Sequence, residues 1–157
     1  MKKLVRLSFI FIMCICLCAC GKKKTKEDVT TCKLESNQEG SGYKLEATYK
    51  IYSKKDVVSK VDTEEIVISE KEDVLNTFES SLKTQYKNNN DLYGGYDYKI
   101  TKDGNKVTSK VVIDYSEMDM DKFIDNNSAM KSFVNKSNKL TLEGAKSIYT
   151  SVGAKCE

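Results

Sequence analysis

The chain has 157 residues, of which 39% are hydrophobic and 31% charged, and its formal net charge is +3. This length and composition are typical of one globular domain. The sequence contains no histidine, which excludes Ser-His and Cys-His nucleophile pairs and the usual histidine-containing zinc sites.

The first 19 residues have the layout of a secretory signal peptide. Lys2, Lys3 and Arg6 make a positive start, and LSFIFIMCICLCA (Leu7 to Ala19) is a 13-residue apolar run. A membrane-spanning helix needs about 20 apolar residues, so this run is short for a span and fits a signal peptide. We therefore expect residues 1–19 to be a cleaved signal peptide. The alternative is an uncleaved membrane anchor whose cysteines serve as small apolar residues.

Cys20 ends this run in a pattern that resembles the bacterial lipobox, where a signal peptidase cuts before a lipid-modified cysteine. Ala19 directly precedes it and Leu17 stands three positions before it, whereas Cys18 occupies a position that usually holds Ala, Ser, Thr or an aliphatic residue. The resemblance implies a diacylglyceryl thioether on Cys20, and two acyl chains hold a protein stably on a bilayer. The expected location is therefore the extracytoplasmic face of the cell membrane, with the lipid bilayer as a partner through Cys20.

Residues 20–31 are expected to form the lipidated N-terminus and a basic tether. Four lysines lie here, Lys22, Lys23, Lys24 and Lys26, and they either contact anionic headgroups or solvate a linker. Cleavage removes three of the 26 basic side chains and no acidic ones, which leaves 23 basic against 23 acidic groups. The sequence pI of 8.4 therefore reflects the leader and tether. Because no basic stripe continues through the domain, we expect no nucleic-acid partner.

Cys32 and Cys156 bracket the predicted domain. An exported domain permits a disulfide between them, and this is the first interpretation. Free thiols come second and a reactive or redox site third, because the pair has no CxxC spacing. Two thiolates without histidine do not make a zinc site, and we expect no metal and no cofactor.

The first half of the domain has the alternation of antiparallel strands. A short strand over TCKLES is followed by GYKLEATYKIYS, with a hairpin turn at residues 54–56 and then VVSKVDTEEIVIS. In the second of these strands, period-two alternation separates an apolar face from a polar face. The apolar face holds Tyr43, Leu45, Ala47, Tyr49 and Ile51, and the polar face holds Lys44, Glu46, Thr48 and Lys50. In the third strand the alternation changes phase, from Val57, Ser59 and Val61 to Ile66 and Ile68. This change of phase predicts a bulge near residues 63–65.

The second half begins with a helix. Ser69 and Glu72 match a capping box, followed at helical spacing by Val74, Leu75, Phe78, Leu82 and Tyr86, and the helix is expected to stop at the asparagine run 88–90. A second hairpin then turns at Asp103-Gly104, with Val107, Val111, Ile113 and Tyr115 facing inward. A short helix is expected near Met120. The last helix follows Thr141, carries Leu142, Ala145, Ile148, Tyr149 and Val152 on its buried face, and ends at Gly153.

These elements predict one α+β domain over residues 32–157. Its antiparallel sheet has about five strands with two to three helices packed on it, in the order β-β-β-α-β-β-α-α. A Cys32–Cys156 bond would join the end of the last helix to the first strand.

Taken together, the leader and four segments resemble the YehR-like bacterial lipoproteins, a family of unknown function. The segments are YKLEATYKIYSKKDVVSKV, the amphipathic helix, KVTSKVVIDYS and LTLEGAKSIYTSVGAK, and they span most of residues 32–157. The resemblance implies a lipid-anchored α+β domain and transfers no active-site residues.

Two groups of residues are candidates for ligand contact. The acidic group Asp114, Glu117, Asp119, Asp121 and Asp125 could collect calcium, but it lacks the register of an EF-hand loop. Acids at a strand end and a helix N-terminus are the favoured interpretation. The tyrosines Tyr93, Tyr96 and Tyr98 could form an exposed shelf for a glycan or peptide. Alternation favours Tyr96 and Tyr98 in the core, so the shelf depends mainly on Tyr93.

No catalytic motif appears in the sequence. A pair of carboxylates could still hydrolyse a glycan, but nothing selects a pair, and Glu64-Glu65 is interpreted as the surface side of the bulged strand. The preferred hypothesis is a non-enzymatic lipoprotein that holds a partner or stabilises an envelope assembly near the membrane. A cell-wall glycan or small-ligand binder is the alternative, and a carboxylate-dependent hydrolase comes third.

Overall fold

Six antiparallel strands make a single sheet in the computed structural model, which describes residues 27–157. The strands are β1 (Asp28–Gln38), β2 (Tyr43–Lys54), β3 (Val57–Ile68), β4 (Tyr96–Asp103), β5 (Lys106–Asp114) and β6 (Lys155–Cys156). The helices are α1 (Glu72–Tyr93), α2 (Met120–Asn126) and α3 (Leu142–Ser151), with 3-10 turns at Glu39–Ser41 and Ser128–Ser132. The predicted α+β class and element order are confirmed, with one more strand than expected because two terminal residues pair with β1.

The order of strands across the sheet is β4-β5-β3-β2-β1-β6. All helices that touch the sheet lie on one side of it. Helix α1 covers β4, β5 and part of β3, and α3 covers β1, β2 and the rest of β3. We call this side the covered face, and the opposite side the open face.

Two apolar clusters fill the space under the helices. The larger lies under α3 around Ile51, Val61 and Leu140, which are at most 1% exposed. The smaller lies under the first half of α1, where Val67 and Val107 pack against Leu75. Because burying apolar side chains is the main favourable contribution to folding, these clusters determine which face of each strand turns inward.

The bulge in β3 lies at Ser59 and not at residues 63–65. Tyr52 pairs with Lys60 and Ser53 with Val58, so Ser59 is the extra residue. This bulge directly after the hairpin turns both Val58 and Val61 toward the core. From Val61 onward the alternation is regular, so Ile66 and Ile68 lie on the open face and their predicted inward orientation is wrong.

Three helix ends differ from the sequence prediction. Ser69 does not cap α1, since its Oγ donates to the Gly42 carbonyl oxygen at 2.7 Å and accepts from Lys71 N at 3.0 Å. The helix also continues through the asparagine run to Tyr93, where Gly94 takes a positive φ of 72° that favours glycine. Val152, predicted on the buried face of α3, is 58% exposed.

The starts of the other helices agree with the prediction. Helix α2 begins at Met120, and α3 begins directly after Thr141, whose Oγ1 accepts from Gly144 N at 3.0 Å. Gly153 follows α3 with a φ of 97°, the left-handed geometry expected just beyond a helix C-terminus. No helix between residues 27 and 157 combines the length and the hydropathy needed to cross a membrane.

Candidate binding site

None of the three candidate tyrosines forms an exposed shelf: Tyr96 and Tyr98 lie between α1 and the covered face of the sheet, and Tyr93 packs against α2. Tyr93 is 9% exposed and meets Phe123 edge-on with 5.1 Å between ring centroids, so the prediction that it is the exposed member is wrong. Tyr96 and Tyr98 follow the expected alternation into the interior. Their centroids lie 6.4 Å and 5.6 Å from that of Tyr86 on α1. The longer course of α1 explains the error, because it extends the helix to Tyr93 and turns that ring toward α2.

Glu65 also lies on the covered face, although the sequence predicted it on the surface. With the bulge at Ser59, regular alternation turns Glu65 inward between Thr63 and Val67. Tyr86 Oη donates a hydrogen bond to Glu65 Oε2 at 3.3 Å. Burial raises the pKa of the Glu65 carboxyl, and hydrogen bonds from Tyr86 and Tyr49 oppose this rise.

Further tyrosines enclose this carboxyl. Tyr49 stacks on Tyr149 of α3 with 4.1 Å between ring centroids. Burial and the neighbouring Glu65 raise the pKa of Tyr49 to about 12, and the pKa values of Tyr86 and Tyr149 also rise, mainly through burial. The three hydroxyls therefore stay protonated at neutral pH, and those of Tyr49 and Tyr86 act as hydrogen-bond donors to Glu65. This arrangement stabilises the Glu65 carboxyl inside the fold. The tyrosine rings themselves fill the space around that carboxyl.

The open face has a shallow depression of about 350 Å³ near its centre. The outward side chains that line it are Thr48, Lys50, Asp62, Glu64, Asp97, Lys99, Lys110 and Val112. They come from adjacent strands because the register places Thr48 opposite Glu64, and Glu64 opposite Lys110. The right-handed twist of an open sheet makes such a surface concave along one diagonal.

Charges of both signs alternate in the depression. Lys110 Nζ lies 2.9 Å from Glu64 Oε1, and Lys60 Nζ lies 3.3 Å from Asp62 Oδ1 at the edge. Such exposed pairs contribute little to stability. The positive and negative side chains instead suit the open face to recognition, since such a surface selects partners that carry complementary charges. Sequence analysis identified the polar side of β2, but it could not identify which strands flank it.

The acidic group after β5 makes hydrogen bonds within the protein. Asp114 Oδ1 accepts from Ser116 N at 2.8 Å, a contact that together with the Ser116 hydroxyl lowers the pKa of Asp114. Asp119 caps α2 by accepting from Lys122 N at 3.0 Å, and Asp121 accepts from Asn138 Nδ2 at 2.6 Å. Within residues 27–157, no three His, Cys, Asp or Glu residues are grouped so that they could hold a metal ion.

Cys32 and Cys156 are directly opposite each other in the antiparallel pair of β1 and β6. The structure pairs their Sγ atoms as a disulfide. The pair joins the strand after α3 to β1, as expected, across a sequence separation of 124.

Cys20 and the signal peptide lie outside the described residues. Of the tether 20–31, the structure describes residues 27–31, and β1 already begins at Asp28.

Comparison with known proteins shows similarity of fold. No protein-family model matches the chain, and no curated protein matches it. The NMR structure of the Escherichia coli YehR protein matches with a TM-score of 0.52 and 18% identity, over 85% of this chain and 92% of that one. An NMR structure of a protein from Streptococcus pneumoniae TIGR4 matches with a TM-score of 0.51 and 13% identity, over 100% of this chain and 96% of that one. The chain therefore shares its fold with the YehR protein.

Proposed function

We propose that this protein is a YehR-like lipoprotein, anchored through Cys20 on the extracytoplasmic face of the membrane, which binds an envelope protein and catalyses no reaction. The leader and the lipobox-like residues support the anchor, and the fold shared with YehR supports the relationship.

The observation that carries the binding role is the one-sided coverage of the sheet. Both helices that pack on the sheet lie on the covered face, so the open face presents its depression and its alternating charges to solvent. A protein surface can match such a pattern with opposite charges, which steers encounter and excludes wrong partners. The glycan alternative loses its expected stacking platform, because Tyr96 and Tyr98 pack under α1 and Tyr93 packs against Phe123 of α2.

Photo-crosslinking in living cells tests this proposal. A photoreactive residue replaces Lys99, which lies exposed on the open face, and the matched control replaces Lys83, exposed on the outer side of α1. We expect one reproducible protein adduct from position 99 and none of that mass from position 83. Equal adducts from both positions, or no protein adduct from the open face, would contradict binding through this surface.

A cell-wall glycan is the second candidate for the same depression. Asp62, Glu64 and Asp97 line it, and carboxylates accept hydrogen bonds from sugar hydroxyls. Soluble wall fragments added to the purified protein should then shift the amide NMR signals of β3 and β4, and Asp97→Asn should weaken the shift. Release of product from the fragments would instead indicate a carboxylate-dependent hydrolase.

A further inference from the structure

A second concave surface lies at the end of the sheet where the chain enters the domain. It is a groove of about 310 Å³ with an apolar floor of Val57, Tyr115, Met120 and Leu140 and with Lys54 and Lys139 at its rim. Backbone hydrogen bonds build it. Val58 N donates to the Leu140 carbonyl oxygen at 3.0 Å, and Tyr115 N donates to the Ser59 carbonyl oxygen at 2.9 Å. The groove is therefore a well-connected part of the fold.

The start of the described chain lies against this groove. Glu27 lines it and accepts a hydrogen bond from Ser59 Oγ at 2.7 Å. The register agrees, because Asp28 pairs with Ser53 and Ser53 pairs with Val58 at the same end of the sheet. The hairpin that carries Lys54 and the entry of the polypeptide chain are thus neighbours.

The position of Cys20 in the sequence limits how far this end can lie from a membrane. Glu27 follows Cys20 by seven positions, and a fully extended chain spans at most about 3.6 Å per residue, or about 25 Å here. Strand β2 has 12 residues, so at about 3.3 Å per residue the opposite end of the sheet lies about 40 Å further along. A lipid on Cys20 therefore keeps the groove end within about 25 Å of the bilayer, and the tether sets no such close limit on the opposite end.

Exposed apolar side chains are concentrated at the same end. Among residues 27–157, the large apolar side chains that stand out by their exposure are Val29 (52%), Leu92 (48%) and Val152 (58%). Val29 follows the chain entry directly. Leu92 is in the last turn of α1. The carbonyl oxygen of the next residue, Tyr93, accepts a hydrogen bond from Asp119 N, and Asp119 directly precedes Met120. Two of these three side chains thus lie at the groove end of the sheet, where a membrane would remove them from water.

We propose that the groove end of the domain docks on the anionic bilayer that holds the Cys20 anchor, an inference that rests on the proposed lipoprotein function. The apolar floor takes up the apolar part of a phospholipid near its glycerol group, while Lys54 and Lys139 contact its phosphate. Basic side chains near an anionic surface strengthen attachment to it. Docking holds the sheet upright, with the open face directed sideways to partners in the envelope.

Tryptophan fluorescence tests the docking, because the native chain contains no tryptophan. Val29→Trp places one probe at the groove end of the sheet, and Val152→Trp is the matched control, a valine of similar exposure at the C-terminal end of α3. The full lipidated protein is purified from cells and reconstituted into phosphatidylglycerol vesicles with brominated acyl chains. We expect several-fold stronger bromine quenching at position 29 than at position 152. A double Lys54→Glu, Lys139→Glu variant should reduce the quenching at position 29 to that of the control.

Vesicle flotation separates the two proposals. Protein that floats with the vesicles but shows equally weak quenching at both positions would overturn docking and leave the anchor intact. If the wild-type protein does not float with the vesicles, the lipid anchor is overturned and the docking with it. The same follows if the Cys20→Ala variant floats as well as the wild type. Circular dichroism confirms that each variant is folded, and both valines are more than half exposed, so a tryptophan side chain can extend into solvent.

Discussion

At the scale of single residues, Glu65 is a carboxyl buried on the covered face of the sheet. Its carboxyl lies among aromatic rings with Tyr86 as a donor, and burial raises its pKa above the ordinary value of 4.5. The ionised form is therefore less stable in the folded protein than in the unfolded chain. As pH rises from about 4.5 through the raised pKa, the folded state loses stability relative to the unfolded state because of this one group.

The first prediction is that Glu65→Gln stabilises the protein at neutral pH. Glutamine keeps a hydrogen-bond acceptor for Tyr86 but removes the buried charge. Its gain in free energy of unfolding should vanish at pH 4 and grow above about pH 4.5, where only the carboxyl ionises. Urea unfolding of the variant and the wild type, followed by circular dichroism at pH 4 and at neutral pH, measures the difference in free energy of unfolding. A variant equally or less stable than the wild type at neutral pH would contradict the burial of a charged group here.

The second prediction concerns the partner of this carboxyl. Tyr86→Phe removes the donor at 3.3 Å and should lower the free energy of unfolding by about 1–2 kcal/mol, because it leaves a buried acceptor less well bonded. In the Glu65→Gln background the loss should be smaller, since an uncharged acceptor needs the donor less. The four proteins form a double-mutant cycle. A coupling energy of zero would show that the two side chains act independently.

At the scale of elements, the start of α3 depends on a close backbone contact. A Cβ added at Gly144 would lie 2.2 Å from the Phe133 carbonyl oxygen and 2.8 Å from the carbonyl carbon. That oxygen also accepts from Thr141 N at 3.0 Å and from Thr141 Oγ1 at 3.1 Å. The helix and the preceding loop are thus packed so closely that only glycine fits.

The third prediction is that Gly144→Ala destabilises the protein by about 1–3 kcal/mol, the usual cost of overpacking a filled site. Helix propensity alone predicts the opposite, a gain of about 1 kcal/mol from glycine to alanine. Ser147→Ala, exposed on the same helix, is the control and should change stability by less than about 0.5 kcal/mol. Thermal unfolding of both variants decides between the two effects. A stable Gly144→Ala protein would show that α3 can move away from Phe133.

At the scale of the whole molecule, the Cys32–Cys156 pair connects β6, at one edge of the sheet, to β1. Cys32 is fully buried in the larger apolar cluster. Thr31 N and the Glu157 carbonyl oxygen, 3.1 Å apart, add a backbone hydrogen bond beside the pair. A cross-link over most of the domain restricts the unfolded chain more than a short one would.

The fourth prediction is that reduction of this bond lowers the free energy of unfolding by up to about 4–5 kcal/mol, the chain-entropy limit for a loop of this length. Urea unfolding with and without dithiothreitol measures the loss, and Cys32→Ala with Cys156→Ala is the control that should not respond to the reductant. Mass analysis after alkylation of the unfolded, unreduced protein should detect no free thiol at either position. Two alkylated cysteines there would refute the bond.

The local pattern of residues was enough to predict the order of elements and much of the core. Alternation in β2 and helical spacing in α1 and α3 reflect which side chains must leave water, and this demand acts within a few consecutive residues. For that reason Tyr49, Ile51, Leu75 and Ala145 are buried as predicted.

Only the tertiary structure decided the features on which the candidate sites depend. β3 has apolar residues in both phases, so pairing with β2 and β5 was needed to locate the bulge at Ser59 and to turn Glu65 inward. Contact with Phe123 buries Tyr93, and the strand order assembles the open face and the groove. These outcomes depend on contacts between residues far apart in the chain, and a short stretch of sequence does not contain the free energies of such contacts. Alternation and helical spacing involve only neighbouring residues, so they can be read directly from the sequence.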